Sequence, residues 1–362
     1  MGKKVCYYVS ANTSSGYVSF FDDLIKQTER VYIIKGGPGS GKSTFIKRIG
    51  EDLLSVGMNV DFIYSPDDKY TLEGVFIKDI CVAIINGTYP HSIDPVYPGA
   101  IERILDFGNF WDIDYLRLHR NTIKLLTDTI QEKYKIFFKH MGKAREIHDR
   151  WEKEYLLGMD FTKADSITDN IISDIIGKPT GKAPKQTHRF SGAMTPQGQV
   201  CFYNELTEDI GRRYIVKGRP GSGKSTMTKK ISAAAFANGY DVEYYHCSFD
   251  ADSIDMVIIP ELSFALLDGT APHVLDPANG DMLVDMFECI NTEIVRENDN
   301  PIKSIQEEYA QEIGKAKEVY SDIYCLHEKL ENFYINATDF NDVNALRIRI
   351  TKTLMDMRKE QL

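Results

Sequence analysis

Apolar positions along this chain keep two rhythms. In the first hundred residues they fall in short runs rich in β-branched and aromatic side chains: Val31-Tyr32-Ile33-Ile34, Val60 to Tyr64, and VFIKDICVAIIN from Val75. Runs of this kind, bounded by Gly, Pro, Asn and Asp, predict buried strands. After the first of them, Ile46, Ile49, Leu53 and Leu54 share one face at helical spacing, and Gly57 is a natural helix stop. Residues 3 to 21 read as short strands around a turn at Ser14-Ser15-Gly16, either a hairpin capping a sheet or a flap. From about 115 to 176 the rhythm becomes long, charged and helical, through Leu116, Ile123, Leu126, Ile130 and then KHMGKAREIHDRWEKEYL.

The pattern then repeats. Lys42 and Lys224 are 182 positions apart, as are His91 and His273, and Asp94 and Asp276. The strand Tyr214-Ile215-Val216 answers Tyr32-Ile33-Ile34, Val242 to His246 answers Val60 to Tyr64, and Gly239 answers Gly57. The helical stretch recurs at 302 to 358 with a shifted register. Gly142 and Gly314 are 172 apart, and Asp160 and Asp339 are 179 apart. Between the copies, GKPTGKAPKQTHR (177–189) reads as a linker. The organisation expected is a tandem duplication with repeats at 1–176 and 190–362. Each repeat carries a helical-hairpin appendage, at about 115–176 and 290–362.

What each first strand feeds into carries the chemistry. Gly36 to Thr44 reads GGPGSGKST and Gly218 to Thr226 reads GRPGSGKST, both matching G-x-x-x-x-G-K-[ST]. Strand, glycine loop and helix form the context in which backbone N–H groups and a helix N-terminus cradle phosphates. Gly37, Pro38, Gly39, Ser40, Gly41, Lys42, Ser43 and Thr44 are the expected phosphate-binding residues of the first copy. Arg219, Pro220, Gly221, Ser222, Gly223, Lys224, Ser225 and Thr226 are those of the second. Lys42 and Lys224 reach for the β- and γ-phosphates, and the hydroxyls of Ser43 and Ser225 hold Mg²⁺. The fold class expected is α/β: two tandem P-loop NTPase domains, each a mostly parallel sheet flanked by helices.

Composition narrows the setting. Net charge is −10 and the pI about 5.4, so a basic footprint for duplex nucleic acid is absent. Six cysteines lie at 6, 81, 201, 247, 289 and 325 without a C-x-x-C pair, which suits a reducing cytoplasm. Val5 to Val9 is too short a run for a signal peptide, and nothing approaches a membrane span.

Further candidates follow the strands. Phe264 to Leu267 ends in Asp268, the placing of a Mg²⁺-binding carboxylate, whereas copy one has the uncharged Asn86. That difference predicts unequal sites, the second binding Mg·nucleotide better. Gly269, rather than a water-orienting Glu, follows Asp268, so hydrolysis is slow, needs a residue from elsewhere, or is not the reaction. Asp79 and Glu261 occupy matched positions and are candidates for positioning water, or else strand-edge charges. His91 and His273, in a repeated Thr-x-Pro-His, are candidate phosphate sensors or acid–base groups.

Taken together, NTSSGYVSFFDDL, YIIKGGPGSGKST, the paired PH-x-x-DP segments and Phe107-Gly108-Asn109-Phe110-Trp111-Asp112 resemble an uncharacterised bacterial family of tandem P-loop proteins, whose members are labelled ATPases or putative nucleotide kinases. The resemblance covers essentially the whole chain and implies nucleotide binding in the cytoplasm. The chain departs from the family pattern at Asn86, where Asp-Gly-Thr is expected. Three functions compete. One is a Mg²⁺-dependent ATPase acting as an intramolecular pseudo-dimer, with Arg212, Arg213 and Arg219 as possible arginine fingers. A second is a small-molecule kinase with a helical lid. The third is a nucleotide-sensing scaffold whose helical arms bind a protein partner.

Overall fold

The computed structural model describes residues 2–270, 274–297 and 299–361. The chain opens with β1 (Lys4–Tyr8), the hairpin β2 (Ser10–Thr13) and β3 (Gly16–Ser19), and α1 (Phe21–Ile25). There follow β4 (Arg30–Lys35), α2 (Lys42–Ser55), β5 (Val60–Ser65), β6 (Asp68–Ile77), β7 (Val82–Asn86) and β8 (Glu102–Asp106). Three helices, α3 (Ile113–Leu118), α4 (Arg120–Leu156) and α5 (Phe161–Ile175), complete this half. The second half repeats the order. It contains β9 (Gln186–Phe190), β10 (Gly192–Thr195), β11 (Gly198–Cys201), α6 (Tyr203–Leu206), β12 (Arg212–Lys217), α7 (Lys224–Ala237), β13 (Val242–His246), β14 (Ile254–Ile259), β15 (Phe264–Asp268) and β16 (Met282–Asp285). It closes with α8 (Thr292–Glu297), α9 (Asp299–Ala337) and α10 (Phe340–Gln361).

Among the described residues, twelve strands form one sheet in the order β16-β12-β15-β14-β13-β9-β1-β5-β6-β7-β4-β8. Within each half five strands run the same way, and only β6, or β14, runs against them. The architecture is α/β, a large sheet flanked by helices. The halves meet where β1 and β9 pair antiparallel, Tyr8 opposite Phe190. Those residues are 182 apart, so the meeting point lies on the pseudo-twofold axis of the duplication. Residues 186–189, expected in a linker, are therefore part of a central strand. The Gly, Pro and Lys around them hide a run that needs only a partner strand to extend.

The apolar layers explain the order. Alternate residues of β4 face opposite sides: Tyr32 and Ile34 pack beneath α2 with Ile46, Ile49 and Leu53, and Val31 and Ile33 join the other layer. That other layer runs through both halves, with Tyr7 and Ile63 from the first and Ile215, Tyr245 and Met256 from the second. The sheet thus has one core on this face rather than two.

The helical appendages do not fold back as hairpins on their own repeats. α4 packs antiparallel to α9: Ile130, Tyr134, Phe137 and Met141 meet Ala316, Tyr320, Ile323 and Leu330. Lys133 pairs with Asp322 at 2.7 Å, His140 with Glu312 at 2.7 Å and Arg150 with Glu308 at 2.5 Å, in opposite order along the two helices. α10 crosses to the first half. Its Val343, Leu346, Ile350 and Leu354 complete the core over α2, and Arg358 donates to the carbonyls of Val56 and Gly57 at the end of that helix. Reciprocally, Ala164, Ile171 and Ile175 of α5 cover Met227 and Ile231 of α7. Short bridges pin the exchange, Trp111 to Thr338 and Met159 to Ile290. The reason lies in the stripe: each arm's apolar face matches the other arm, and α5 and α10 each meet an uncovered glycine-loop helix in the opposite half.

Candidate functional site

β4 delivers the chain to the glycine loop at the carboxyl end of the sheet. Gly39 and Gly41 take positive φ of 77° and 84°, and Gly221 and Gly223 take 75° and 83°, a conformation that side chains disfavour. α2 and α7 start directly after Gly41 and Gly223, with no side chain capping the first turn. Their leading N–H groups are left for a ligand. The loop folds in on itself: Ser40 Oγ donates to the Gly37 carbonyl at 2.8 Å, and Lys42 Nζ donates to the carbonyls of Gly36 (3.0 Å) and Gly37 (2.6 Å). Burial lowers the Lys42 ammonium to about 8, against the opposing pull of Glu331.

Above this loop lies a cavity of about 740 Å³. It is lined by the loop, by Tyr17 of the β2–β3 hairpin, by Asp67 and Glu73 around the start of β6, by Asn86, His91 and Asp106, and by both arms. α4 contributes Ile130, Gln131 and Tyr134, and α9 contributes His327, Glu331 and Tyr334. The roof is close: a Cβ on Gly39 would stand 2.6 Å from the carbonyl oxygen of Glu331, and one on Gly37 2.3 Å from the Tyr334 ring. Gly39 is required by approach as well as by conformation, Gly37 by approach alone. The site is therefore built from both halves.

The floor and walls are a hydrogen-bonded set. Asp67 accepts from Asn12 Nδ2 (2.8 Å), Tyr134 OH (2.9 Å) and Tyr320 OH (3.2 Å), so this one carboxylate joins hairpin and arms. Glu73 is buried and accepts from Ser10 Oγ at 2.5 Å, and burial pushes its carboxyl up to about 8. Tyr17 stacks on His91 with ring centroids 3.3 Å apart. Burial also lowers the His91 imidazole below its ordinary value. Ser43 Oγ accepts from the Leu72 amide at 2.8 Å. Asn86 Oδ1 is buried without a hydrogen-bond partner.

The second glycine loop has the same frame and a different filling. Lys224 Nζ donates to Arg219 O at 2.9 Å and lies 3.7 Å from Asp268 Oδ2. Asp268 Oδ1 accepts from the amide (2.9 Å) and the hydroxyl (2.5 Å) of Thr270. Asp255 is partly buried, and its carboxyl is raised to about 8 by desolvation and by Asp268. Ser225 Oγ and Ser222 Oγ are buried without partners. A Cβ on Gly221 would stand 2.6 Å from the carbonyl of Glu152, so α4 roofs this loop as α9 roofs the first. Phe249 stands where repeat spacing puts Asp67, and it clusters with His148, Trp151 and Tyr309. Aromatic rings thus gather at the second loop, and the large cavity opens at the first. Asp268 made the second site the expected better one; the cavity of about 740 Å³ lies over the first.

Asp79 and Glu261 are not brought to either loop. Both lie in 3₁₀ turns ahead of β7 and β15, at the amino end of the parallel strands. Asp79 accepts from the Asn59 amide and side chain (3.0 and 2.9 Å), and Glu261 binds Lys182 and the Asp241 amide. They fasten turns at the sheet's opposite end from the glycine loops, which fits the strand-edge alternative and not a place beside a phosphate. Arg212 and Arg213 start β12 at that same far end, Arg213 paired with Asp281. Arg219 sits in the second loop over Phe287. Asp94 and Asp276 hold Lys35 and Lys217 at 2.7 and 2.9 Å, anchoring the loops after β7 and β15. His273 lies outside the described residues.

Sequence reading missed Glu73, Asp106, Glu331 and His327. The signal was present for most of them. Glu73 and Asp255 are 182 apart, each just ahead of an apolar run, and Glu331 with His327 stands 179 from Glu152 with His148. That is the spacing already seen between Asp160 and Asp339. No family model, curated protein or solved structure matches the chain.

Proposed function

We propose that the chain is a Mg²⁺-dependent ATPase of two tandem P-loop domains, with two unequal nucleotide sites acting as an intramolecular pseudo-dimer, the first site being the principal one. The observation that carries this reading is the cavity over Gly36–Thr44: a glycine loop with an uncapped helix start, a lysine folded over it, and about 740 Å³ of space above. Pockets of this size take small molecules. Phosphates replace the loop carbonyls as partners of Lys42 and gain the helix-end amides. The oxygen donors fit a hard cation, with the Ser43 hydroxyl, the unpartnered Asn86 Oδ1 and the Asp106 carboxylate on one cavity. Mg²⁺ there would neutralise phosphate charge. Ser225 and Asp268 are the corresponding donors of the second site.

The test is ATP binding and turnover by the intact chain and by Lys42→Ala and Lys224→Ala. Lys42→Ala is expected to cut turnover at least about 100-fold, the scale of a lost electrostatic clamp, and Lys224→Ala to do much less. Equal losses would show a coupled pair, and a loss only in Lys224→Ala would overturn the ranking. The kinase reading rests on the part of the cavity beyond the loop, where Tyr17, His91, Thr127 and Gln131 offer room for an acceptor. Phosphate released in equal amount to ADP, without any added acceptor, would dismiss it.

A further inference from the structure

The first site lacks a carboxylate at Asn86 and has Gly87 after it, so strand β7 supplies nothing to prepare water for attack. The chain supplies a carboxylate from elsewhere. Glu331 lies on α9, 289 positions from Lys42, and lines the same cavity. Its main chain is packed on Gly39, its neighbour one turn on (Tyr334) is packed on Gly37, and Trp111 holds Tyr334 edge-on at 5.3 Å. The backbone carrying the carboxylate is thus fixed against the phosphate cradle. Lys42 and Glu331 feel each other's charge across that cavity.

Resting on the P-loop reading, we propose that Glu331, delivered by the second half, is the general base for hydrolysis at the first site. A water held by its carboxylate attacks the γ-phosphorus of ATP. The new bond is water oxygen to phosphorus, and the bond that breaks joins the γ-phosphorus to the β–γ bridging oxygen. The water proton passes to Glu331, ADP leaves with the bridging oxygen, and Glu331 returns the proton to solvent. Glu152 holds the corresponding place over the second loop, but there its neighbours His148 and Trp151 belong to the aromatic cluster. Hydrolysis at the first site therefore depends on the docked arm, and a chain whose α9 is displaced binds nucleotide without consuming it.

The experiment measures ATP affinity and steady-state turnover side by side for the intact chain, Glu331→Gln, Glu331→Asp and Glu152→Gln. Glu331→Gln keeps size and hydrogen bonding. It is expected to hold ATP within about threefold of the parent while losing 10²- to 10⁴-fold in turnover, the range of a general base. Glu331→Asp recovers part of the rate. The acid limb of the pH–rate profile, set above the ordinary carboxylate range by the burial of Glu331, disappears in Glu331→Gln, a change that a packing role would not produce. Glu152→Gln retains most activity. Full turnover in Glu331→Gln overturns the assignment, as does ATP binding without turnover by the parent chain. Failure of the parent to bind ATP would instead remove the P-loop reading itself.

Discussion

Lys42 and Glu73 show burial working in opposite directions on two charges in one cavity. Free Lys42 begins to lose its proton near pH 8, while a bound phosphate keeps it charged. Nucleotide affinity should therefore fall as pH rises above about 8, by up to tenfold per unit, with proton uptake on binding. Calorimetry in buffers of different ionisation enthalpy reads that uptake, and a flat profile from pH 8 to 10 would refute it. Glu73 runs the other way. Its folded pKa is raised to about 8, so the folded chain holds its proton more tightly than the unfolded one. Its contribution to stability is full below the usual carboxylate range and declines as pH rises towards 8. Glu73→Gln should remove that decline, stabilising the chain by at least about 1 kcal/mol at pH 8 and by little at pH 4. Thermal melts across that range check it. The residues legible in sequence were those whose role is set by contiguous chain. A glycine loop announces itself because its partners are its own neighbours. Asp79 and Glu261 stayed open between two roles because periodicity gives a strand but not its direction. β6 runs against its neighbours, so the turn after it falls at the wrong end of the sheet.

At the scale of elements, the informative unit is the exchanged helix. Strands and glycine-loop helices were readable from run length and apolar spacing. The arms were readable as helices, but not as partners. Amphipathic stripes say that a face must be covered and are silent on which helix covers it. The seven-residue drift between the 172 and 179 offsets also hid the match of Glu331 to Glu152. α10 makes the consequence measurable. Val343, Leu346, Ile350 and Leu354 are buried in the first half's core, each contributing roughly 1.5–3 kcal/mol. A chain stopped before Phe340 should lose protection from hydrogen exchange first in β4, α2 and β5, hundreds of positions away in sequence, and only later in β12–β15. Loss confined to the second half would contradict the packing.

For the whole molecule, the layer shared by Tyr7, Ile63, Ile215 and Met256 makes the two halves one folding unit on that face of the sheet. Residues 1–176 and 177–362 expressed alone should each expose apolar surface and aggregate. Mixed during refolding they should associate and recover nucleotide binding, as sedimentation and a binding assay would show. The arms also join the sites. α4 lines the first cavity near Tyr134 and roofs the second loop at Glu152, a rise of about 27 Å along one helix. A rigid element touching both loops is the form that coupling between unequal sites requires.

The exchange of helices also sets an order of birth. On the ribosome, Gly36–Thr44 emerges before its roof at Glu331 and Tyr334 and before the cover that Phe340 to Leu354 give its helix, all of them 287 or more positions after Thr44. Until then the first loop is an open cradle without its roof. On the proposed reading, a nascent or prematurely terminated chain lacks the Glu331 carboxylate, and hydrolysis begins only once the second half has been made and has folded back on the first.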